Sequence, residues 1–359
     1  MQEQLKRTNN GDDILSQEGD LDDAGGKVID LIFGRWRSQI LYTGLKLGVF
    51  DALVSGPTNA ARVASELELD RGMLYRLMRA LGSLGLLKEE NTGSFSLTLS
   101  GELLRRDHPH TLRAMTLLEE GPEHYAAWKH LAALIKEGKQ NGFAREFGQP
   151  AFEYAVQNPS YGAVFNEAMS SYSGIDNMLV LQALETYDFS RISRLCDVAG
   201  GHGYALCSLL AKYRHLKGTV LEQPSVIAKA ELLWAEKLGV GDRCTYVAGD
   251  MFREVPPADA YMVKRVLHDW NDGECLQILS NMHQAAPKQG RVFVMEQVVP
   301  GPDTPHFSKL FDIHMLVWGT GLERTAEEYA GLLEGAGWKY RQTWYPPSKM
   351  LGIVEGVKE

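Results

Sequence analysis

The sequence of 359 residues lacks the features that mark several large classes of protein. It has only four cysteines and no Cys-x-x-Cys pair, so it predicts neither a zinc site nor a disulfide framework. No uninterrupted apolar run approaches the ~18 residues that a membrane-spanning helix needs. The first residues also lack the basic-then-apolar pattern of a secretion signal. We therefore expect a cytoplasmic protein without a membrane partner.

Positive charge is also scarce. The chain carries 46 acidic and 37 basic side chains, which gives a formal net charge of -9. Because nucleic-acid affinity rests largely on Lys and Arg releasing counterions, this balance argues against a nucleic-acid partner. The rest of the composition, 44% hydrophobic and 23% charged, is typical of globular proteins. At roughly 100–200 residues per domain, the length predicts about two domains.

The first part of the chain divides into a tail and a mainly helical domain. Residues 1–23 contain seven acidic and two basic side chains and almost no large apolar ones, so they predict a flexible acidic tail. In residues 24–111, three- and four-residue apolar spacings predict helices, and a hairpin follows them. Helix, turn, helix and hairpin form a winged-helix outline. The outline fits either DNA recognition or a dimerising module, and the near-neutral charge of this stretch favours the second.

Residues 24–111 also predict self-association. The helical stretch from Trp36 to Leu47 is more apolar than a free surface tolerates. We therefore expect a homodimer that forms through this domain.

The remainder predicts a helical segment and then an α/β domain. Residues 112–187 are helical and are expected to link the domains and to supply a substrate pocket. In residues 188–359 short apolar strands, at 195–199, 219–221, 244–247, 260–263 and 291–295, alternate with amphipathic helices, one of which begins at Ser225. This alternation is typical of a parallel sheet covered on both faces. The last two predicted strands, Trp338 to Trp344 and Met350 to Val354, are too close in sequence for a parallel crossover. They should form an antiparallel hairpin.

A glycine turn follows the first strand of the α/β domain. Gly200, Gly201 and Gly203 precede a helix, and Glu222 follows at the end of the next strand, where such folds bind ribose hydroxyls. Together they indicate an adenosine-containing ligand; the alternative is a tight turn beside a surface glutamate. Leu206 replaces the third glycine of a dinucleotide fingerprint, and there is no Gly-Lys-Ser/Thr phosphate loop. These absences favour S-adenosylmethionine.

Four motifs then carry a resemblance to a known family. The chain resembles the caffeate-type and antibiotic-pathway S-adenosylmethionine-dependent O-methyltransferases from about Val28 onward. The motifs are, in order, Asp197-Val-Ala-Gly-Gly-His-Gly, Gly249-Asp-Met-Phe, Lys264-Arg-Val-Leu-His-Asp-Trp-Asn-Asp and Gly321-Leu-Glu-Arg-Thr. The resemblance implies a doubly wound, mostly parallel seven-stranded sheet and an N-terminal, mainly helical, winged-helix dimerisation domain.

The resemblance also implies a set of cofactor contacts. The three glycines would lie under the methionine part of the cofactor, and Glu222 would bind the ribose. Four further residues would border the adenine or hold the nucleoside: Asp250, Met251, Phe252 and Lys264. Two positions depart from the family pattern, because Ala199 replaces a glycine and Glu222 replaces an aspartate. A methyl group at Ala199 is tolerable if that residue has negative φ.

His268 is the candidate general base. It closes a strand at the sheet edge that faces the ligand crevice. An imidazole with a pKa near 6.5 suits the removal of a proton from a phenol with a pKa near 10. The alternative is a buried, hydrogen-bonded histidine. The resemblance implies that Glu323 hydrogen-bonds this histidine and that Glu296 flanks it, whereas a helix cap and a structural role are their respective alternatives. No metal is expected.

The acceptor pocket is expected from the helical segment and the later helix. The resemblance implies that Phe165, Asn166 and Met169 sandwich an aromatic acceptor, and methionine adapts well to flat rings. Tyr172 stands where plant relatives often carry histidine. Asp269 matches a position that touches the acceptor in relatives, and His314 faces either the pocket or the core. Other candidates, each better explained as core, are Trp128, Met178, Met315 and Trp318.

The leading hypothesis is therefore a small-molecule O-methyltransferase. It would methylate a hydroxyl of an aromatic, secondary-metabolite type substrate. One alternative is a cofactor-binding relative that catalyses hydroxylation or decarboxylation. Another is a winged-helix DNA-binding regulator with a vestigial ligand domain.

Overall fold

The structure, a computed structural model, describes residues 23–359. The predicted acidic tail, residues 1–23, lies outside the described residues except for its last position. The chain divides into two compact units, Met1–Gly121 and Pro122–Glu359. The finer division at residues 111 and 187 stays a prediction. Within residues 23–359, no helix is long and apolar enough to cross a membrane, and the cytoplasmic location also stays a prediction.

The first unit combines helices with a small antiparallel sheet. Its helices are α1 (residues 23–32), α2 (Gly34–Lys46), α3 (Val49–Ala52), α4 (Ala60–Glu66), α5 (Arg71–Ser83), α6 (Leu99–Glu102) and α7 (Arg113–Glu119). Its strands are β1 (Thr58–Asn59), β2 (Leu87–Asn91) and β3 (Ser94–Leu97), in the order β1-β3-β2. The predicted succession of helices and a hairpin is present, and its assignment as a winged helix stays a prediction.

The second unit begins with helices and continues with alternating strands and helices. The helices are α8 (Pro122–Ala127), α9 (Leu131–Glu137), α10 (Gly142–Phe147), α11 (Ala151–Gln157), α12 (Pro159–Ala183), α13 (Tyr204–Lys212), α14 (Pro224–Ile227), α15 (Trp234–Lys237), α16 (Asp272–Ala285), α17 (Phe307–Trp318) and α18 (Ala326–Gly335). Single 3-10 turns lie at Trp128–His130, Phe189–Arg191, Ala230–Leu232 and Leu267–Asp269.

Seven strands of this unit form one sheet. They are β4 (Arg194–Val198), β5 (Lys217–Glu222), β6 (Cys244–Ala248), β7 (Ala260–Lys264), β8 (Arg291–Glu296), β9 (Lys339–Trp344) and β10 (Gly352–Val357). Their order is β6-β5-β4-β7-β8-β10-β9. Strands β4 to β8 run parallel, whereas β10 pairs antiparallel with both β8 and β9. The mostly parallel seven-stranded sheet and the terminal antiparallel hairpin are thus confirmed.

The strand order determines where a ligand can bind. Strands β5 and β6 lie on one side of β4, and β7 and β8 lie on the other, so the order reverses between β4 and β7. In open α/β sheets ligands bind outside the carboxyl ends of the strands at such a reversal. The centre of the sheet is rigid, because β7 is buried up to its last residue and β8 after its first. The site is therefore expected where β4, β5 and β7 end.

Candidate active site

The turn after β4 brings the backbone close to a ligand. A Cβ atom added to Gly200 would lie 2.5 Å from Cγ of Asp197. Gly203 has φ +82°, and a Cβ atom added there would lie 2.8 Å from the hydroxyl oxygen of Tyr246. Only glycine fits these two positions. The turn leads directly into the N-terminus of α13 at Tyr204.

Ala199 does not meet the condition expected from the sequence. Its φ is +54°, in the left-handed region, where a residue with a Cβ atom loses about 1–2 kcal/mol. Its N–H donates to the carbonyl oxygen of Leu221 over 2.9 Å, so the ladder between β4 and β5 continues through this residue. Ala199 therefore has a left-handed backbone conformation, which glycine adopts without strain and alanine does not.

A cavity of about 320 Å³ opens beside this turn. It is lined by Ala199, Leu221, Glu222, Gln223, Pro224, Gly249, Asp250, Met251, Phe252 and Trp270. The two carboxylate oxygens of Glu222 accept the N–H groups of Gly201 (2.9 Å) and Gln223 (2.7 Å). This carboxylate is thus fixed at the end of β5, at the edge of the cavity.

The opposite wall of the cavity is aromatic. Phe252 and Trp270 meet edge to face, with ring centroids 4.9 Å apart. The side-chain amide of Asn281 donates to the carbonyl oxygen of Met251 over 2.8 Å and holds that segment in place. Three predicted adenine contacts, Asp250, Met251 and Phe252, therefore line one cavity with Glu222. Trp270 was missed, although it lies within the motif that begins at Lys264.

Asp197 is a further acid next to the glycine turn. It is fully buried, and its Oδ1 atom has no hydrogen-bond partner among the described residues. Burial raises the pKa of Asp197 to about 7, although the charge of Lys264 opposes this shift. Lys264 is outside the cavity lining, and its Nζ lies 4.0 Å from Oδ2 of Asp176. An unsatisfied acid beside a glycine cradle and a fixed carboxylate suits a ligand that carries ribose hydroxyls and cationic groups.

His268 lies in the 3-10 turn Leu267–Asp269, just after β7, and its side chain is buried. Its Nδ1 lies 2.8 Å from Oε1 of Glu323. The Oε1 atom of Glu296 accepts the N–H groups of Val266 and Leu267, both over 3.0 Å, and its Oε2 lies 4.0 Å from Nδ1 of His268. The structure thus brings together the histidine and both predicted acids.

The alternative role of Glu323 as a helix cap is filled by another residue. The hydroxyl of Thr325 accepts the N–H of Glu328, and the carboxylate of Glu328 accepts the N–H of Thr325. This reciprocal pair caps α18, typically with about 1 kcal/mol of stabilisation. Glu323 is left to face His268.

The acids around His268 determine its protonation. Burial lowers the pKa of His268, but the negative charges of Glu296, Asp269 and Glu323 outweigh burial and raise that pKa to about 9. Burial also raises the pKa of Glu296 to about 7, against the charge of His268. The carboxylate of Asp269 lies 3.7 Å from Nε2, on the other side of the ring. The cluster therefore stabilises an imidazolium.

Hydrogen bonds from Arg324 and Leu322, here called the clamp, fix the turn of His268 against the loop that carries Glu323. The buried guanidinium of Arg324 donates to the carbonyl oxygens of Leu267 (3.0 Å) and Trp270 (2.8 Å). The carbonyl of His268 accepts the N–H of Leu322 over 2.8 Å. A Cβ atom added to Gly321 would lie 1.7 Å from that same carbonyl oxygen. The close approach at Gly321 thus sets the distance between His268 and Glu323.

Aromatic rings extend from His268 along α17. The successive pairs, with their centroid distances and interplanar angles, are His268 and Phe311 (6.2 Å, 12°), Phe311 and His314 (5.1 Å, 28°), His314 and Trp318 (6.5 Å, 13°), and Trp318 and Phe165 (6.0 Å, 4°). Phe311, His314 and Trp318 share one helix face because they are three and four residues apart. This series joins the histidine to the predicted acceptor residue Phe165 of α12.

The other predicted acceptor residues are not all in this series. Met315 is buried on α17, whereas Asn166 and Met169 are exposed on α12 and Tyr172 is half-buried. Their contact with an acceptor stays a prediction. Asp312 accepts the N–H of Glu323 over 2.9 Å, so it supports the loop that carries Glu323.

Family models match most of the chain. The model of the O-methyltransferase domain matches residues 128–339, and that of the O-methyltransferase dimerisation domain matches residues 29–107.

The chain belongs to the O-methyltransferase family.

Individual relatives agree over nearly the full length. A phenazine O-methyltransferase from Lysobacter antibioticus is 33% identical over 329 residues, which are 91% of this chain and 94% of the relative. The methyltransferase of calicheamicin biosynthesis, in its SAH-bound form, superposes with a TM-score of 0.82 at 30% identity, covering 94% and 98% of the two chains. An O-methyltransferase from neocarzinostatin biosynthesis, solved with SAM and 2-hydroxy-5-methyl naphthoic acid, gives 0.73 at 29% identity, covering 90% and 96%. The predicted S-adenosylmethionine-dependent O-methyltransferase is thus confirmed.

In this O-methyltransferase, the cluster around His268 has a donor set that also occurs in metal sites. One ligand atom each from His268, Glu296 and Glu323 lie within 4.8 Å of one another. In the structure these donors already bind protein groups, because Glu323 holds Nδ1 of His268 and two backbone N–H groups hold Glu296. The expected absence of a metal stays a prediction.

Proposed function

We propose that this O-methyltransferase methylates a hydroxyl group of an aromatic small molecule and uses His268 as the general base. The observation that carries the proposal is the 2.8 Å contact between Nδ1 of His268 and Glu323. It favours the tautomer in which Nδ1 donates its proton to Glu323. The lone pair is then on Nε2, which is able to accept a hydroxyl proton.

The residues of the cavity fit S-adenosylmethionine. Glu222 is fixed where it can accept ribose hydroxyls, and the wall of Met251, Phe252 and Trp270 can hold the adenine. Gly200 and Gly203 let the turn pack tightly on Asp197 and Tyr246, and Gly201, with no atom within 4 Å of an added Cβ, is left open toward the methionine part. When bound, S-adenosylmethionine supplies an activated methyl group to an aligned nucleophile.

The acids of the cluster stabilise His268 after it has accepted the proton. Because Glu296, Asp269 and Glu323 raise the pKa of His268 to about 9, the imidazolium that forms is stabilised. A cation bound in the neighbouring cavity would repel that imidazolium and lower the pKa, so more of the neutral base would be present in the loaded enzyme. His268 would then accept the hydroxyl proton at Nε2 while the oxygen attacks.

The ring series supports a flat aromatic acceptor. Phe311 packs on His268, and the aromatic surface continues from it through His314 and Trp318 to Phe165. Aromatic pairs stabilise one another beyond simple burial. Phe165, Asn166, Met169, Tyr172, Asp269, His314 and Met315 remain the proposed acceptor contacts. Relatives named for phenazine and crystallised with a naphthoic acid also favour fused-ring acceptors of secondary metabolism, including antibiotic biosynthesis.

We also propose a homodimer. The family's dimerisation domain matches residues 29–107, and helices α1 and α2 expose large apolar side chains. Leu31 is 80% exposed, Ile32 is 63% exposed and Trp36 is 57% exposed. A second copy of the chain would cover them.

Product analysis tests the reaction. The enzyme is incubated with S-adenosylmethionine and a panel of simple phenols, hydroxynaphthoates and hydroxyphenazines. We expect one product that is heavier by one CH2 unit, together with an equal amount of S-adenosylhomocysteine. Addition of an oxygen atom, or loss of CO2, would instead indicate one of the alternative reactions.

A variant of His268 tests the base. His268→Ala should lower kcat by about 10²–10⁴-fold, the usual contribution of a general base. His215→Ala is the control, because His215 hydrogen-bonds the carbonyl of Phe189 away from the cluster, and it should retain full turnover. A loss below tenfold in His268→Ala would contradict the role of the base.

A further inference from the structure

Arg265 is a buried arginine that precedes the 3-10 turn of His268. Arg265 follows the last residue of β7 and has φ +56°. This left-handed conformation costs a non-glycine residue about 1–2 kcal/mol. Such strain persists only where the surroundings determine the conformation, and it is concentrated at functional sites. The side chain of Arg265 is only 12% exposed.

The guanidinium of Arg265 joins two acids from distant parts of the chain. Its Nε donates to Oδ2 of Asp176 on α12 over 3.1 Å. Its Nη1 lies 3.5 Å from Oε1 of Glu323, the same oxygen that contacts Nδ1 of His268. Asp176, Arg265, Glu323 and His268 therefore form a continuous series of contacts, in which Arg265 and Glu323 are joined by an ion pair and not by a hydrogen bond.

Arg265 also contacts the ring that packs on the histidine. Its guanidinium carbon lies 5.1 Å from the ring centroid of Phe311, in a cation-π arrangement. Phe311 in turn is nearly parallel to His268, at 12°. The arginine thus touches both neighbours that fix the imidazole, the acid at its edge and the ring at its face.

We propose that Arg265, held by Asp176, is a positioning residue that keeps Glu323 oriented toward Nδ1 of His268. A planar guanidinium suits this role because its rigid fork can engage two acids and lie over a ring at the same time. Lysine would provide the charge without that geometry. The proposal rests on the proposed role of His268 as the base.

The charged groups around His268 determine how a variant should change the pH dependence of the reaction. Negative groups face it from Glu296 on β8, Asp269 on its own turn and Glu323 on the following loop, with Asp312 of α17 and the phenol of Tyr329 nearby. Arg265 is the positive group that pairs with Glu323, and Asp176 partly neutralises it. A second positive group, the guanidinium of Arg324, lies 5.9 Å from the ring centroid of Tyr329. Removal of Arg265 should favour the imidazolium, whereas removal of the Asp176 charge should disfavour it.

The experiment compares the pH dependence of kcat/KM in Arg265→Met, Asp176→Asn and wild type, with an acceptor that the panel identifies. We expect the acidic limb of Arg265→Met to move to higher pH, because the acids around His268 lose a positive neighbour. The limb of Asp176→Asn should move to lower pH. We expect kcat at the plateau to fall about tenfold or more in Arg265→Met, because general-base catalysis contributes at least that much.

Arg291→Met is the matched control. Arg291 pairs with Glu355 over 3.3 Å, and its side chain is 18% exposed, but the pair lies at the other end of β8. This variant should leave the limb unmoved. Arg265→Met with wild-type kcat at the plateau would overturn the proposal, whatever its limb, because Glu323 would then hold Nδ1 of His268 without the arginine. Should that variant fail to fold, Asp176→Asn with wild-type kcat at the plateau would overturn it.

The same data separate this proposal from the proposed function. His268→Ala should abolish the acidic limb if His268 is the base. If it does so while both the Arg265 and Asp176 variants keep the wild-type kcat at the plateau, the base role stands and the positioning role fails. If His268→Ala keeps the limb, the base role itself fails.

Discussion

Single residues set the pKa of His268, and Glu323 is one of three acids whose charges raise it, after Glu296 and Asp269. The acids raise the pKa of His268 to about 9, and only neutral histidine acts as a base. We therefore expect kcat/KM to rise with pH up to the pKa that His268 has before the acceptor binds.

Glu323→Gln should move this limb to lower pH, because it removes one negative charge that stabilises the imidazolium. It should also lower kcat, because an amide does not select the tautomer as strongly. The measurement is the pH profile of kcat/KM, with Glu137→Gln as the control. Glu137 pairs with Arg145 on the surface. An acidic limb that moves to higher pH in Glu323→Gln would contradict this role of the Glu323 charge.

The strain at Ala199 gives a prediction for stability. Ala199→Gly should raise the thermal midpoint by about 2–4 °C, since glycine avoids the penalty of about 1 kcal/mol at φ +54°. Ala211→Gly is the control, because Ala211 lies exposed in helix α13. Glycine there should lower the midpoint. A midpoint that falls in Ala199→Gly would show that this turn stores no strain.

The sequence predicted residues inside motifs better than their partners outside them. His268, Glu296 and Glu323 could be found from motif and position at strand ends. Asp176 could not, because its contact with Arg265 spans 89 residues and leaves no local pattern. The φ angle of Ala199 was also beyond prediction, since the requirement comes from the surrounding turn and not from alanine itself.

At the scale of elements, one predicted helix is wrong. The sequence predicts a helix from Ser225, but the structure has two four-residue helices, α14 and α15, with a 3-10 turn between them. Trp234 explains the break. Its N–H donates to the carbonyl of His202 over 3.1 Å, and its ring stacks on Tyr204 at 4.1 Å. Tertiary contacts with the glycine turn therefore override the local helix propensity.

The strands were predicted more closely, because each carries a short apolar run between polar turns. The predicted starts and ends in the sheet fall mostly within one or two residues of those in the structure. What the pattern does not contain is the packing of one loop on another, such as Gly321 against the turn of His268.

That contact gives a prediction at the level of the loop. Gly321→Ala should lower kcat by at least tenfold and also destabilise the protein, because its Cβ atom would lie 1.7 Å from the carbonyl oxygen of His268. Gly331→Ala in α18 is the control, since no atom lies within 4 Å of its added Cβ. It should stabilise the helix by about 0.5–1 kcal/mol. Activity and thermal midpoint are measured for both, and wild-type activity in Gly321→Ala would contradict the clamp.

At the scale of the whole molecule, length alone predicted two domains, and contacts divide the chain into two units. The exposed apolar residues of α1 and α2 then predict association. Light scattering should give a mass about twice the 40.0 kDa of one chain. A 40.0 kDa species at micromolar concentration would contradict the proposed homodimer.

Variants of the exposed positions test which surface is responsible. Leu31→Asp with Ile32→Asp should shift the protein toward the monomer, because two charges would have to be buried in the interface. Leu99→Asp is the control: Leu99 is 90% exposed but lies on the short helix α6. Equal masses for both variants would place the interface elsewhere.

The central claim is that His268 removes the hydroxyl proton during methyl transfer. It is tested most directly by single-turnover rates of wild type and His268→Ala with two matched acceptors. One acceptor has an ordinary phenol with a pKa near 10, and the other is an electron-poor analogue that is already ionised at the assay pH. We predict a loss of about 10²–10⁴-fold for the first acceptor and little loss for the second, which needs no base. Equal losses for both acceptors would contradict the account.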